Sequence, residues 1–204
     1  DTTGVILRTP VGNMVHFAEM KFDYDRSGKP QGLDEFERIG KMGIHTLFLD
    51  STNAEEPGYS ISERVVEKNL EDLIKKAEGR IIIGIFASLL TRMAEIIKIA
   101  EKYDRKIALS GLSMKTNVQI AQNLGYIKIK KGVIISLEEI HKYPDEKILV
   151  LSTGAQGEPN ASLVRIANGE NRHIAIKPGD AVIFSSSVIP GNERAVQTLK
   201  DNLA

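Results

Sequence analysis

Four short segments of the chain combine hydroxyl side chains with glycines in the way that phosphate oxygens require. They are Phe86-Ala87-Ser88, Ser110-Gly111-Leu112-Ser113-Met114, Ser152-Thr153-Gly154-Ala155-Gln156-Gly157-Glu158-Pro159 and Ser185-Ser186-Ser187-Val188-Ile189-Pro190-Gly191-Asn192. Hydroxyls, glycine N–H groups and helix N-termini hold a phosphate without any net charge. Taken singly, each segment reads more readily as a helix cap and a turn. Taken together, at the carboxyl ends of strands in one sheet, they mark a ligand edge. Arg92, Lys115, Arg165 and Arg194 are the nearby charges, each read first as a solvated helix residue. Asp50, in Asp50-Ser51-Thr52-Asn53, closes another strand and suits either a catalytic carboxylate or a turn that caps Thr52 or Asn53. His16, His45, His141 and His173 are scattered, and no two have metal-ligand spacing. There is no P-loop and no Ser-His-Asp arrangement.

These segments need strands and helices to carry them, and the apolar patterning supplies both. The first stretch reads as an antiparallel hairpin, Val5–Thr9 and Met14–Phe17 about Pro10-Val11-Gly12-Asn13. A polar, glycine-rich surface loop follows over Asp23–Gly32, then a short helix from Leu33 to Lys41. Alternation of strand and helix then begins. Strands are predicted at His45–Leu49, Ile81–Phe86, Lys106–Leu109, Val133–Ile135, Ile148–Leu151 and Ala181–Phe184. Helices are predicted at Ser62–Ala77, Leu89–Tyr103, Lys115–Leu124, Leu137–Lys142, Ala161–Ala167 and Asn192–Asn202, the first capped by Ser60 or Ser62. Continuous β-branched strands between amphipathic helices imply an α/β fold with a mostly parallel sheet covered on both faces. The change of character near Asp50–Ser60 divides the chain into residues 1–50 and 51–204.

Composition narrows the function. In 204 residues, 42% hydrophobic and 26% charged, 27 Lys and Arg balance 27 Asp and Glu, so recognition of a polyanion has to be local rather than a broad basic surface. The absence of cysteine excludes disulfides, Cys-ligated zinc and a thiol nucleophile, and fits a reducing, cytoplasmic setting. No apolar run approaches the ~18 residues of a membrane span, and no signal peptide is visible. The chain starts on Asp1 with apolar alternation by Val5, which reads as the middle of a fold.

Three strings together are specific. Leu49-Asp50-Ser51-Thr52-Asn53-Ala54-Glu55-Glu56-Pro57-Gly58-Tyr59, followed by Ser62-Glu63, resembles the junction in the ribonuclease J family where a metallo-β-lactamase domain hands over to an inserted β-CASP domain. Ser152–Pro159 resembles that family's TGxQGEP signature and Ser185–Asn192 its SSSxIPGN signature, with Phe86-Ala87-Ser88 and Ser113-Met114 matching in order. The resemblance covers essentially the whole chain. It implies a partial metallo-β-lactamase segment before a β-CASP domain, in an RNA-processing and RNA-degrading hydrolase that uses two zinc ions and grips RNA between its two domains.

Residue by residue, the resemblance implies that Asp50 is the acidic residue of the first β-CASP motif, near the metal centre. It implies RNA-phosphate contacts from Ser88, Ser113, Thr153, Gly154, Gln156, Gly157, Ser185, Ser186, Ser187 and Asn192. The family's metal-binding Asp in TGDFKFD aligns within Phe17-Ala18-Glu19-Met20-Lys21-Phe22-Asp23, where Glu19 keeps a carboxylate that is one methylene longer. The family's His-x-His-x-Asp-His motif and its later β-CASP histidines are not in this sequence. This chain alone is therefore expected to bind no zinc and to be inactive, with RNA and the remainder of the lactamase domain as partners, no membrane, and self-association through the N-terminal segment. A stand-alone RNA- or nucleotide-binding α/β module is the alternative, and a flavodoxin-like nucleotide binder a third reading that rests on topology alone.

Overall fold

The protein's structure, a computed structural model, describes residues 3–25 and 27–204. Asp1, where the sequence reads as the middle of a fold, and Arg26 of the predicted surface loop lie outside the described residues. The chain divides into two compact units, one running to Val66 and one from Glu67 to Ala204.

In the first unit, β1 (Val5–Thr9) and β2 (Gly12–His16) form the expected antiparallel hairpin, with Val5 opposite His16. After α1 (Leu33–Gly40), β3 (Ile44–Phe48) pairs in parallel with β2, giving a three-stranded sheet of order β1-β2-β3. This corrects the expectation that His45–Leu49 opens the strand–helix alternation: the strand closes the first sheet instead. Asn13 fixes the approach, its Nδ2 donating to the Met42 carbonyl at 2.7 Å just before β3 begins. The start of α2 (Glu63–Lys76) also differs from expectation. Asp23, forty residues earlier, caps it by accepting from the Glu63 N–H at 3.2 Å, whereas Ser62 contributes its backbone carbonyl, to Val65 and Val66.

Within this unit Val15 and Ile39 are the buried apolar side chains, while Val5, Leu7 and Phe48 remain about half exposed around a hollow of about 430 Å³. So small a core gives little cooperative protection. Amide hydrogens of β1–β3 are expected to exchange at least tenfold faster than those of the buried strands after Ile81. Mass-spectrometric exchange on a verified monomer checks this, and equal protection in both units would refute it.

In the second unit, β4 (Ile81–Gly84), β5 (Lys106–Ser110), β6 (Ile134–Ile135), β7 (Ile148–Ser152) and β8 (Ala181–Phe184) form an all-parallel sheet of order β6-β5-β7-β4-β8. The fold class is thus α/β, as the patterning requires. β4 and β7 are buried at every residue, which is why they read as continuous apolar runs without alternation. On one face Ile82, Val150 and Ala108 pack with Leu163 and Ile166 of α5 (Ser162–Ala167) and Leu199 of α6 (Glu193–Leu203). α3 (Leu90–Lys102) buries Met93, Ile96, Ile97 and Ala100, one helical stripe, and lies beside β5 with α4 (Leu112–Asn123).

Most boundaries shift by one or two residues, and three differences bear on the site or the element type. β4 stops at Gly84 rather than Phe86, and α4 begins at Leu112, so that Ser113 and Met114 belong to its first turn and not to a loop. The predicted helix Leu137–Lys142 is a 3₁₀ segment, because Pro144 follows too closely for an α-helix to establish itself.

Strand order also locates the crevice. The connection from β4 through α3 leads to β5 and passes over β7, while that from β7 through α5 leads to β8 and passes over β4. The chain therefore leaves these two neighbouring strands in opposite directions, which is where open α/β sheets bind ligands. No helix among the described residues is long and apolar enough to cross a membrane.

Candidate functional site

Register puts Ser110, Ser152, Gly84 and Phe184 in one row across β5, β7, β4 and β8. The residues that follow them leave the sheet at the same edge, so all four hydroxyl segments converge there, as read from the sequence. They are also bonded to one another. The Thr153 N–H donates to the Ser110 carbonyl at 3.2 Å. Asn117 of α4 donates from Nδ2 to the Ala87 carbonyl at 2.7 Å. Arg92 of α3 donates to the Ser185 carbonyl at 2.9 Å. Gln156 ties the β7 loop to the β8 loop, donating to Ser186 Oγ at 3.2 Å and to the Ser187 carbonyl at 2.8 Å. Its Oε1 accepts from the Ile189 N–H at 2.8 Å and from Asn192 Nδ2 at 3.4 Å. Gly157, at φ 73°, completes the junction: a Cβ there would stand 2.6 Å from the Ala195 carbonyl oxygen in the first turn of α6.

The sequence-derived residues accordingly fall into two groups. Ser88, Ser113 and Ser187 are exposed, and Thr153, Gly157, Ser186 and Asn192 are half-buried. Gly154, Gln156 and Ser185 are buried. Both hydrogens and both lone-pair sides of the Gln156 amide are committed to protein partners, so this side chain positions the two loops. The Ser185 hydroxyl lies against Arg92 Nη1 at 3.5 Å. The capping alternative does not hold for the three longer helices here, because no side chain caps α3, α4 or α6 at Leu89, Gly111 or Asn192. At Asn192 the neighbouring Glu193 carboxylate accepts from the Gly191 N–H at 2.9 Å, and backbone N–H groups hold its carboxyl below the ordinary range. A negative charge therefore sits at the start of α6, which makes this end of the edge the least suited to a phosphate.

Glu19 and Asp50 belong to the first unit. Glu19 is exposed on the segment after β2. Asp50 Oδ1 accepts from the Thr52 N–H at 2.9 Å and from Thr52 Oγ1 at 2.6 Å, the turn geometry weighed for it from the sequence. Those bonds hold its carboxyl below the ordinary range, so it is ionised at neutral pH. Among the described residues no three His, Asp or Glu side chains gather as metal donors. Two further residues hold the edge together: Arg92, which the sequence marks as a nearby charge but reads first as a solvated helix residue, and Asn117, which carries no signal there. Their partners lie 93 and 30 positions away, and a solvated helix residue and a bonded one look alike in one dimension.

Known proteins resemble the chain in sequence. Over its whole length the chain is 44% identical to ribonuclease J of Thermus thermophilus, of which it spans 35%, and 39% identical to ribonuclease J of Mycoplasma pneumoniae, of which it spans 36%. Over 199 residues it is 40% identical to ribonuclease J 1 of Streptococcus pyogenes, again spanning 36% of that protein. The chain thus spans about a third of the length of the curated relatives it matches. Residues 78–203, which include the entire parallel sheet and all four hydroxyl loops, match the family model of the ribonuclease J β-CASP domain, and on this match the chain belongs to the ribonuclease J β-CASP family.

Proposed function

We propose that the chain is the β-CASP part of an RNA-cleaving hydrolase of ribonuclease J type, and that its loops hold the RNA backbone at the carboxyl edge of the sheet. The observation that carries this reading is the convergence of four hydroxyl loops, hydrogen-bonded to one another or to α3 and α4, over the crevice between β4 and β7. Ser88, Ser113 and Ser187, with Thr153 and Ser186 behind them, supply the contacts. Gly154, Gln156, Gly157, Ser185 and Asn192 hold those contacts in place. Neutral donors of this kind position a phosphodiester strand and read no base, so binding is expected to be insensitive to sequence.

Zinc dependence, with Glu19 as one ligand and Asp50 near the centre, is the finer part of the proposal and rests on the sequence resemblance alone. The described residues do not by themselves compose a zinc donor set. The remainder of a lactamase domain would be the partner, and the apolar hollow of the β1–β3 sheet is the surface through which the chain would self-associate.

The test is NMR titration of the 204-residue chain with uridine 5′-monophosphate and with uridine. Phosphate-dependent shifts at Ser88, Ser113, Thr153, Ser186 and Ser187 are expected. A Ser113→Ala/Ser187→Ala variant should bind the monophosphate at least tenfold more weakly, as two lost hydrogen bonds of ~1 kcal/mol each together imply a loss of about thirtyfold at most. An equal response to uridine, or an unchanged affinity in the variant, would refute the reading.

A further inference from the structure

The net charge of the chain is zero, yet one concave site in the second unit gathers cations without matching anions. α4 and the segment leading into β6 enclose a cavity of about 300 Å³. Lys115, Gln119 and Gln122 reach it from α4, and Lys130 and Lys131 from the opposite segment. Its floor is apolar, with Leu109 of β5 and Val118 of α4 both buried.

Among the described residues, the Lys115 and Lys131 ammonium groups make no hydrogen bond or ion pair. Lys130 faces Glu101 at 3.7 Å, and the Lys130 N–H donates to the same carboxylate at 2.8 Å, so Glu101 fixes this segment as well as offsetting one charge. Lys106 secures the other side by donating to the Gly132 carbonyl at 2.8 Å. Three ammonium groups therefore meet one carboxylate around a supported cavity. Solvated lysines on a convex surface have no such shape, and no loop of the sheet edge takes part.

We propose that this cavity is a binding site for one nucleoside phosphate. The volume is at the lower end of the range for small-ligand sites, about 300–1,000 Å³. Lysines serve a phosphate as point charges. The Gln122 amide, which makes no hydrogen bond among the described residues, offers a donor and an acceptor to the edge of a base. The apolar floor takes the flat face of the base. With no aromatic ring among the lining residues, binding is weaker than on a stacking platform and depends chiefly on the phosphate. The same chemistry fits a free nucleotide and a nucleotide within an RNA strand.

The experiment titrates the isotopically labelled 204-residue chain with adenosine 5′-monophosphate, with adenosine, and with a hexamer of adenylate RNA. Saturating shifts at the Gln119 and Gln122 side-chain amides and at Gly132 are expected with the monophosphate, with adenosine at least tenfold weaker. A Lys115→Gln/Lys131→Gln variant should lose at least tenfold in affinity while keeping the dispersion of the native spectrum, and Lys115→Arg/Lys131→Arg should retain most of it. A hexamer that shifts the same resonances at lower concentration identifies the occupant as part of an RNA strand, and one that binds no more tightly identifies a free nucleotide. Shifts that adenosine reproduces equally, shifts unaffected by the glutamine substitutions, or no saturation at these residues would overturn the proposal. Shifts confined to Ser88, Ser113 and Ser187 would overturn it while leaving the sheet-edge reading intact, and the converse pattern would do the reverse.

Discussion

Asp180→Ala is expected to destabilise the second unit by about 3–5 kcal/mol, the cost of leaving one partner of a buried ion pair uncompensated. Arg80, at the start of β4, donates to both carboxylate oxygens of Asp180, from Nε at 2.8 Å and from Nη2 at 2.5 Å, and also to the Ala175 carbonyl at 2.7 Å. The side chains are 9% and 2% exposed, so water cannot take over from the lost carboxylate. The hydrogen bonds to Asp180 hold the Arg80 pKa above its ordinary value, and the guanidinium stays charged throughout the accessible pH range.

The backbone at this corner has no slack to relax into. A Cβ on Gly79 would stand 2.2 Å from the Gly179 carbonyl oxygen, so β4 and the turn before β8 touch directly. At roughly 2–4 °C per kcal/mol, the melting temperature should fall by about 10 °C. The double variant Arg80→Met/Asp180→Leu, which removes both charges and keeps the volume, should recover most of the loss. Calorimetry showing Asp180→Ala within 1 kcal/mol of the parent would refute the role assigned to this pair. Below the transition, mononucleotide binding should be unchanged, because the pair lies at the amino end of the strands and the candidate site at the carboxyl end.

What the sequence discloses follows from how local each cause is. Strand β4 was legible because Ile81-Ile82-Ile83 admits little but a buried strand. The hydroxyl segments were legible because parallel strands must deliver them to one edge. Strand order was not legible: nothing in the Ile148–Leu151 run says that it inserts between β4 and β5, and only that insertion puts the crevice between β4 and β7. The place of β3 was misread for a related reason, since an apolar run records burial and not the identity of its neighbour. At the level of single residues, Gln156 stands in a signature string and was read as a ligand contact. Its burial among loop groups thirty or more positions distant is a tertiary fact. Nothing in the sequence pairs Arg80 with Asp180, a hundred residues apart.

Gln156→Leu is expected to cost about 2 kcal/mol and to weaken monophosphate binding at the sheet edge by at least tenfold. Leucine nearly conserves the volume at a position only 2% exposed, so packing is largely kept and the loss is polar. Four hydrogen-bonding groups lose their partner: Ser186 Oγ, the Ser187 carbonyl, the Ile189 N–H and Asn192 Nδ2. Were all four sealed from water, the penalty would reach well beyond 4 kcal/mol at ~1–3 kcal/mol for each unsatisfied group. Ile189 is 46% exposed and Ser187 lies in the same open loop, so water reaches these groups once the amide is gone, and the lower figure applies. What water cannot supply is the crosslink. The loop from Ser185 to Asn192 would keep its anchor to Arg92 at one end and its entry into α6 at the other, and would lose the brace between them. Hydrogen exchange should then show the Ile189 amide falling to loop-like protection, with the β7 strand unchanged. Gln156→Glu should be worse than leucine for binding. It keeps an acceptor for Ile189 but replaces the amide nitrogen and its two donor hydrogens by one oxygen that faces the Ser187 carbonyl, and it brings negative charge to the proposed phosphate edge. If Gln156→Leu left both the Ile189 protection and the monophosphate affinity at their parent values, Gln156 would be no brace, and the contacts around the crevice would have to be organised by some other part of the β7–α5 loop.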